Sequence, residues 1–198
     1  MKAMKNIFFG LIGLIMLASI IGLLALPRIS TVERSLVMQA PAEVIFNQVN
    51  DLKKNAAWTP WKDPTMVVTY GSVFEGKGAT SSWVSEKMGS GTMTIAESVP
   101  FSAIHVDLDF GGMGTAKVLW TFVSEGENVK VTEVMTSDAG MNPAKRWMSL
   151  LTEKMIGSAY EKGLASLKQV SDIRAAEIKV EQATQQAALV PTGEGTPK

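Results

Sequence analysis

Residues 31–54 read TVERSLVMQAPAEVIFNQVNDLKK, and the order of elements in this stretch decides the fold. Thr31 to Gln39 alternates and carries enough β-branched side chains for a strand. Ala40-Pro41 then opens a short helix, with proline at an early helical position and Glu43 in the first turn, where the helix dipole favours an acid. Val44, Ile45, Phe46 and Val49 give that helix its buried side. Asp51-Leu52-Lys53-Lys54 fits a second short helix, ending before the loop Trp58-Thr-Pro-Trp61-Lys-Asp-Pro64.

Downstream, six strand-like runs follow: Met66–Phe74, Thr80–Glu86, Gly91–Val99, Ser102–Phe110, Thr115–Ser124 and Val129–Ser137. They are separated by Gly76-Lys-Gly78, Gly89-Ser-Gly91, Val99-Pro100, Gly111-Gly112-Met-Gly114 and Gly126-Glu-Asn128, turn chemistry at hairpin spacing. The sheet is therefore antiparallel. From Pro143 to about Val170 the apolar period becomes helical, with Trp147, Leu151, Met155, Ile156, Ala159, Tyr160, Gly163, Leu164 and Leu167 on one broad face. The expected architecture is α+β: a seven-stranded antiparallel sheet, two short helices after its first strand, and one long C-terminal helix covering its apolar face.

Composition narrows the chemistry. The 198 residues include 19 Lys+Arg, 19 Asp+Glu, one His and no Cys, for a formal net charge of zero. Thiol nucleophiles, thiolate metal sites and multi-histidine metal sites are excluded, and no basic footprint points to nucleic acid. No phosphate loop is present, because neither Gly-x-Gly is followed by Gly-Lys-Ser/Thr, and there is no Gly-x-Ser-x-Gly elbow. No cofactor and no metal are expected.

The N-terminus reads differently from the rest. Ile7 to Leu26 is almost wholly apolar, and twenty residues at about 1.5 Å each span roughly 30 Å, the thickness of a bilayer's hydrocarbon core. Lys2 and Lys5 precede the segment, while Arg28 and Arg34 follow it, the latter beside Glu33. The positive-inside rule then places the N-terminus in the cytoplasm and the domain outside. A cleaved signal peptide would have a shorter apolar run and a better cleavage site than Ala25-Leu26-Pro27. The expected organisation is a transmembrane anchor over 1–28, one domain over 32–170, and over 171–198 an exposed helical extension to about Ala188 followed by a disordered tail.

Arg34-Ser-Leu-Val-Met-Gln-Ala-Pro41-Ala-Glu-Val-Ile-Phe46, Val49-Asn50-Asp51-Leu52, the Trp58-x-x-Trp61 loop with Asp63-Pro64, Gly76-x-Gly78…Trp83…Gly89-x-Gly91-x-Met93-x-Ile95, and Lys154-Met155-Ile156-Gly157…Tyr160-Glu161-Lys162-Gly163-Leu164…Leu167-Lys168 together resemble one family. It is the SRPBCC/START-like superfamily with the helix-grip fold, and within it the membrane-anchored bacterial proteins labelled polyketide cyclase-like. The resemblance implies a curved sheet gripping the C-terminal helix around a deep apolar cavity that takes a lipid or other hydrophobic small molecule. The superfamily has no universal catalytic residue, so none is assigned. At Glu133 the sequence departs from the aromatic residue that relatives tend to carry.

Within that frame Trp83, Met93, Ile95, Val118, Trp120 and Phe122 fall on the expected concave face, faced by Met148, Leu151, Met155, Ala159 and Tyr160 of the helix. Ordinary core is the default for any single one of them, and the collective case for a cavity rests on the resemblance. Val129, Val131, Glu133 and Met135 alternate with Lys130, Thr132, Val134 and Thr136. Lys130 implies that the even set is solvated, which aims Glu133 inward, the alternatives being that the odd face meets water here or that Glu133 is paired with a lysine. A buried carboxyl could anchor a polar head or act as a general base. His105 shares its face with Asp107 and Asp109, opposite Ile104, Val106 and Leu108, and so points to solvent. Trp58 and Trp61 either plug the end of the sheet or form a lid or membrane-interface loop, the latter being the functional expectation. Three functions follow: a hydrophobic-ligand or lipid-binding domain anchored in a bacterial inner membrane and facing the periplasm, a cyclase/dehydratase-like enzyme using Glu133 in the same cavity, or an interaction module with a filled core.

Overall fold

In the computed structural model, residues 2–189 of the chain are described. Helix α1 (Lys2–Ala25) is followed by β1 (Ile29–Met38), α2 (Ala42–Asn50) and α3 (Leu52–Trp58). Next come β2 (Val67–Tyr70), β3 (Thr80–Ser85), β4 (Gly89–Val99), β5 (Ala103–Asp109), β6 (Thr115–Glu125), β7 (Asn128–Asp138) and α4 (Pro143–Leu189). The strands form one antiparallel sheet in the order β1-β7-β6-β5-β4-β3-β2. β1 pairs with the last strand, so α2 and α3 carry the chain from one edge of the sheet to the other. A register shift between Ile95 and Glu97 in β4 marks a bulge, a device that bends a strand and adds to the curvature of its sheet.

Alternation decides the inner face. Val32 and Met38 on β1, Ile95 on β4, Ile104 and Val106 on β5, Val118, Trp120 and Phe122 on β6, and Val129, Val131 and Met135 on β7 are all buried. Ile45, Phe46 and Val49 of α2, Leu52 and Trp58 of α3, and Tyr160, Leu164 and Leu167 of α4 complete the core. Phe46 sits edge-on to both Phe101 and Phe122, each with ring centroids 5.5 Å away.

Several elements differ from the sequence reading. Gly89-Ser-Gly91 is not a turn but the start of β4, because Gly91 lies under the Trp83 ring, where strand backbone fits and a larger side chain would not. Strand β2 is only Val67–Tyr70, since Gly71 already turns to bond the Thr80 carbonyl. The second short helix runs on to Trp58, started by Asp51, whose carboxylate accepts from the backbone of Lys53 and Lys54. The C-terminal helix and its extension are one unbroken helix of 47 residues. The disordered tail expected after Ala188 falls almost wholly outside the described residues.

Helix α4 buries Gly157, Tyr160, Gly163, Leu164 and Leu167, a stripe of helical period facing β1, α2, α3 and the Pro60 loop. Gly157 makes one contact possible. A Cβ there would overlap an Arg34 guanidinium nitrogen. Across that bare backbone Arg34 of β1 reaches Glu161 at 2.8 Å and Glu153 at 2.9 Å, tying the edge strand to the helix.

Candidate ligand-binding site

Glu133 lies in the middle of β7, paired in register with Arg34 of β1 on one side and Trp120 of β6 on the other. Directly paired residues of an antiparallel ladder share a face, so all three point inward. Glu133 is 7% exposed. Arg34 is its cationic neighbour, yet the Arg34 side chain turns to Glu153, Glu161 and the Glu33 carbonyl. From α4 the Tyr160 hydroxyl faces the carboxyl. Burial pushes the Glu133 carboxyl well above the usual carboxylate range, and the hydrogen bond with Tyr160 opposes that shift only in part. Burial likewise drives the Tyr160 hydroxyl upward, reinforced by the charge of Glu133 and by their hydrogen bond. Burial thus biases both groups toward their protonated forms, in which each can donate a hydrogen bond.

Around the pair the surroundings are unequal. Toward α2 and α3 the interior is filled: Ile95 is fully buried, Val118 and Phe122 nearly so, and Trp120 stacks edge-on against Trp58 with centroids 5.7 Å apart. Toward β3, β4 and β5 the inner face is less covered. Trp83, Met93, Leu108 and Phe110 are only partly buried there, with Trp83 edge-on to Phe110 at 5.9 Å. Ala159, like Ile156, is partly buried on the flank of α4. Two concavities lie away from this face: one of about 340 Å³ on the outer side of the sheet, lined by Glu97, His105, Asp107 and Lys117 among others, and a shallow one along Ile173 and Val180 of α4. His105 is exposed in the first of these, 3.9 Å from Glu97.

Several expected site residues are placed elsewhere. Met155, expected to line the cavity, is 68% exposed, as are Met148 and Leu151 to similar degree. They lie on the flank of α4 opposite the stripe that meets the sheet, because that stripe, extended toward the N-terminus, passes through Arg146 and Glu153 instead. Trp58, expected as lid or membrane-interface loop, is a core residue at the end of α3, 4% exposed, with its indole N–H donating to the Gln48 carbonyl at 3.1 Å. Trp61 is exposed, but its loop is held at both ends: Asp63 accepts from Ser85 and Thr65, and Pro60 packs against Gly163 of α4. These contacts tie the loop to β3 and to α4. The reading missed Arg34 as an inward residue, although a charge alternating with Val32, Leu36 and Met38 was the signal available.

The family described as polyketide cyclase/dehydrase and lipid transport matches residues 30–172. The chain belongs to this family, and with it to the SRPBCC/START-like superfamily. Among curated proteins none matches the sequence. Solved structures share the fold at low identity. CalU16 from Micromonospora echinospora is 12% identical with a TM-score of 0.51, over 80% of this chain and 87% of that one. A protein of unknown function, SA2116 from Staphylococcus aureus, is 8% identical with a TM-score of 0.59, over 74% and 95%. TTHA0849 from Thermus thermophilus is 17% identical with a TM-score of 0.55, over 73% and 99%.

Proposed function

We propose that the protein is a membrane-anchored binding domain for a lipid or other hydrophobic small molecule. The ligand would lie between the sheet and α4, against Trp83, Met93, Leu108 and Phe110, with Glu133 and Tyr160 holding its polar end. The observation that carries this reading is the buried Glu133 carboxyl, a costly polar group retained beside Trp120 while the neighbouring Arg34 turns to Glu153 and Glu161. A carboxyl held toward its protonated form can donate to a ligand oxygen or hydroxyl. The filled packing around Trp120 means that the ligand enters by displacing the partly buried side chains at β3–β5. Affinity would come from apolar burial, about 25 cal/mol per Å² before ordering costs.

The anchor is α1, whose Met4–Ala25 segment is long and apolar enough to cross a membrane and is almost unburied by the domain. Charge placement supports an N-terminus in the cytoplasm and a periplasmic domain in a bacterial inner membrane. Native mass spectrometry of the protein from its own membrane, with organic extraction, tests the reading. A reproducible apolar adduct that weakens in Glu133→Leu supports it. An apo mass that persists after incubation with mixed lipids overturns it in favour of a filled-core interaction module.

A further inference from the structure

The first three turns of α4 carry a second apolar face that meets nothing in the domain. Trp147, Met148, Leu151 and Met155 are between 41% and 68% exposed, and Met141 just before the helix is 76% exposed. At 100° per residue they form one flank, turned away from the stripe that packs on the sheet. An isolated exposed apolar residue is ordinary, but a contiguous flank is a contact surface.

What lies beside this flank is α1. Gly22 of α1 leaves room for the Trp147 ring, since a Cβ there would stand 2.8 Å from the indole nitrogen. The Trp147 indole N–H donates to the Ala18 carbonyl at 3.0 Å. Arg146 donates to the Leu23 carbonyl at 2.6 Å and to the Leu26 carbonyl at 3.1 Å, supplying donors to the end of the helix, where carbonyls lack partners. Arg28 is clamped to Asp138 and its carbonyl accepts from Ala139, so only Leu26 and Pro27 separate α1 from a fixed point of the domain. The two helix ends are thus one packed unit. Ala18 is seven residues before the end of α1, about 10 Å along its axis.

We infer that the first turns of α4, through Trp147, Met148, Leu151 and Met155, are embedded in the membrane interface beside α1, so that the domain sits on the bilayer by two elements. This rests on the reading of α1 as a membrane span. With α1 in the bilayer, the bond at Ala18 carries the Trp147 ring about 10 Å inside the helix end, the depth at which interfacial helices bury their apolar faces and at which tryptophan is enriched. The exposed Lys154 on the same flank is long enough to return its ammonium to the headgroups. Such docking would place the less covered part of the inner face close to a source of lipid.

The absence of cysteine makes the test direct. Single spin labels are placed on the full-length chain by Met148→Cys, Leu151→Cys and Met155→Cys, with Ile15→Cys in the middle of α1 and Val180→Cys on the far extension of α4 as controls. All five positions are exposed, so labelling costs no core packing. In phosphatidylethanolamine–phosphatidylglycerol vesicles, labels at 148, 151 and 155 should collide more with oxygen than with a water-soluble nickel chelate, as at 15, and the reverse should hold at 180. Water-like collision at 148, 151 and 155 with a lipid-like label at 15 overturns the docking and leaves the anchor standing. A water-like label at 15 overturns the anchor and the docking together. Spin–spin broadening at 148 and 151 that disappears on dilution with unlabelled protein assigns the flank to a second copy and overturns the membrane assignment.

Discussion

Replacing Glu133 by glutamine removes one titrating proton from the interior while keeping the shape of the side chain and a hydrogen-bonding partner for Tyr160. The groups facing it are Arg34 from β1, engaged with Glu153 and Glu161, the Tyr160 hydroxyl from α4, and the Trp120 ring from β6. None neutralises a carboxylate there, and burial raises the folded pKa above the unfolded value of about 4.3. The folded protein keeps its proton where the unfolded chain has already lost one. The contribution of the neutral carboxyl is therefore fully present below about pH 4 and falls by about 1.4 kcal/mol per pH unit as pH rises, levelling once the folded pKa is passed. Between pH 5 and pH 7 the ceiling on this loss is about 2.7 kcal/mol. Urea unfolding followed by tryptophan fluorescence, on the full chain in one detergent at each pH, measures it. Glu133→Gln should gain on the unaltered protein as pH rises, because every other titrating group is common to both. Tyr160→Phe removes the one hydrogen bond that restrains the shift, and should extend the decline to higher pH. Parallel stability curves for the unaltered protein and Glu133→Gln would refute the claim that burial raises the Glu133 carboxyl.

Other consequences are local and separable. Gly91→Ala would drive a Cβ into the Trp83 ring and to 2.6 Å from the Asp109 carbonyl oxygen, so it should lose about 1–3 kcal/mol of stability and alter the near-UV circular dichroism of Trp83. Leu167→Ala empties a fully buried site under α4, and should lower stability by about 2–5 kcal/mol in the same urea assay. Asp51→Ala removes the cap that accepts from Lys53 and Lys54, with an expected loss of about 1 kcal/mol.

Residue patterns carry much of this protein. The alternation across Lys130 to Thr136 points Glu133 inward, because a strand has only two faces and the lysine favours solvent, and the structure buries it there. The same rule leaves His105 outside. The order of strand, two short helices, six strands and a long helix is legible because each element keeps one period and the glycine turns punctuate them. The apolar run of α1 is equally plain, since length and composition alone mark a segment able to cross a bilayer.

Periodicity does not say what a face meets, and there the tertiary structure decides. Helix α4 has apolar residues on two flanks, and nothing local distinguishes Tyr160 and Leu164 from Leu151 and Met155. The choice is made by where the sheet ends and by Arg34, which crosses the helix only at Gly157, the one residue in that turn without a Cβ to exclude it. Trp58 reads as a loop residue until α3 is extended by its Asp51 cap and the indole reaches the Gln48 carbonyl and Trp120. The bond from Trp147 to Ala18 joins residues 129 apart in the chain. Local sequence sets the period and polarity of each segment, whereas which of two equivalent faces is covered depends on contacts between segments distant along the chain.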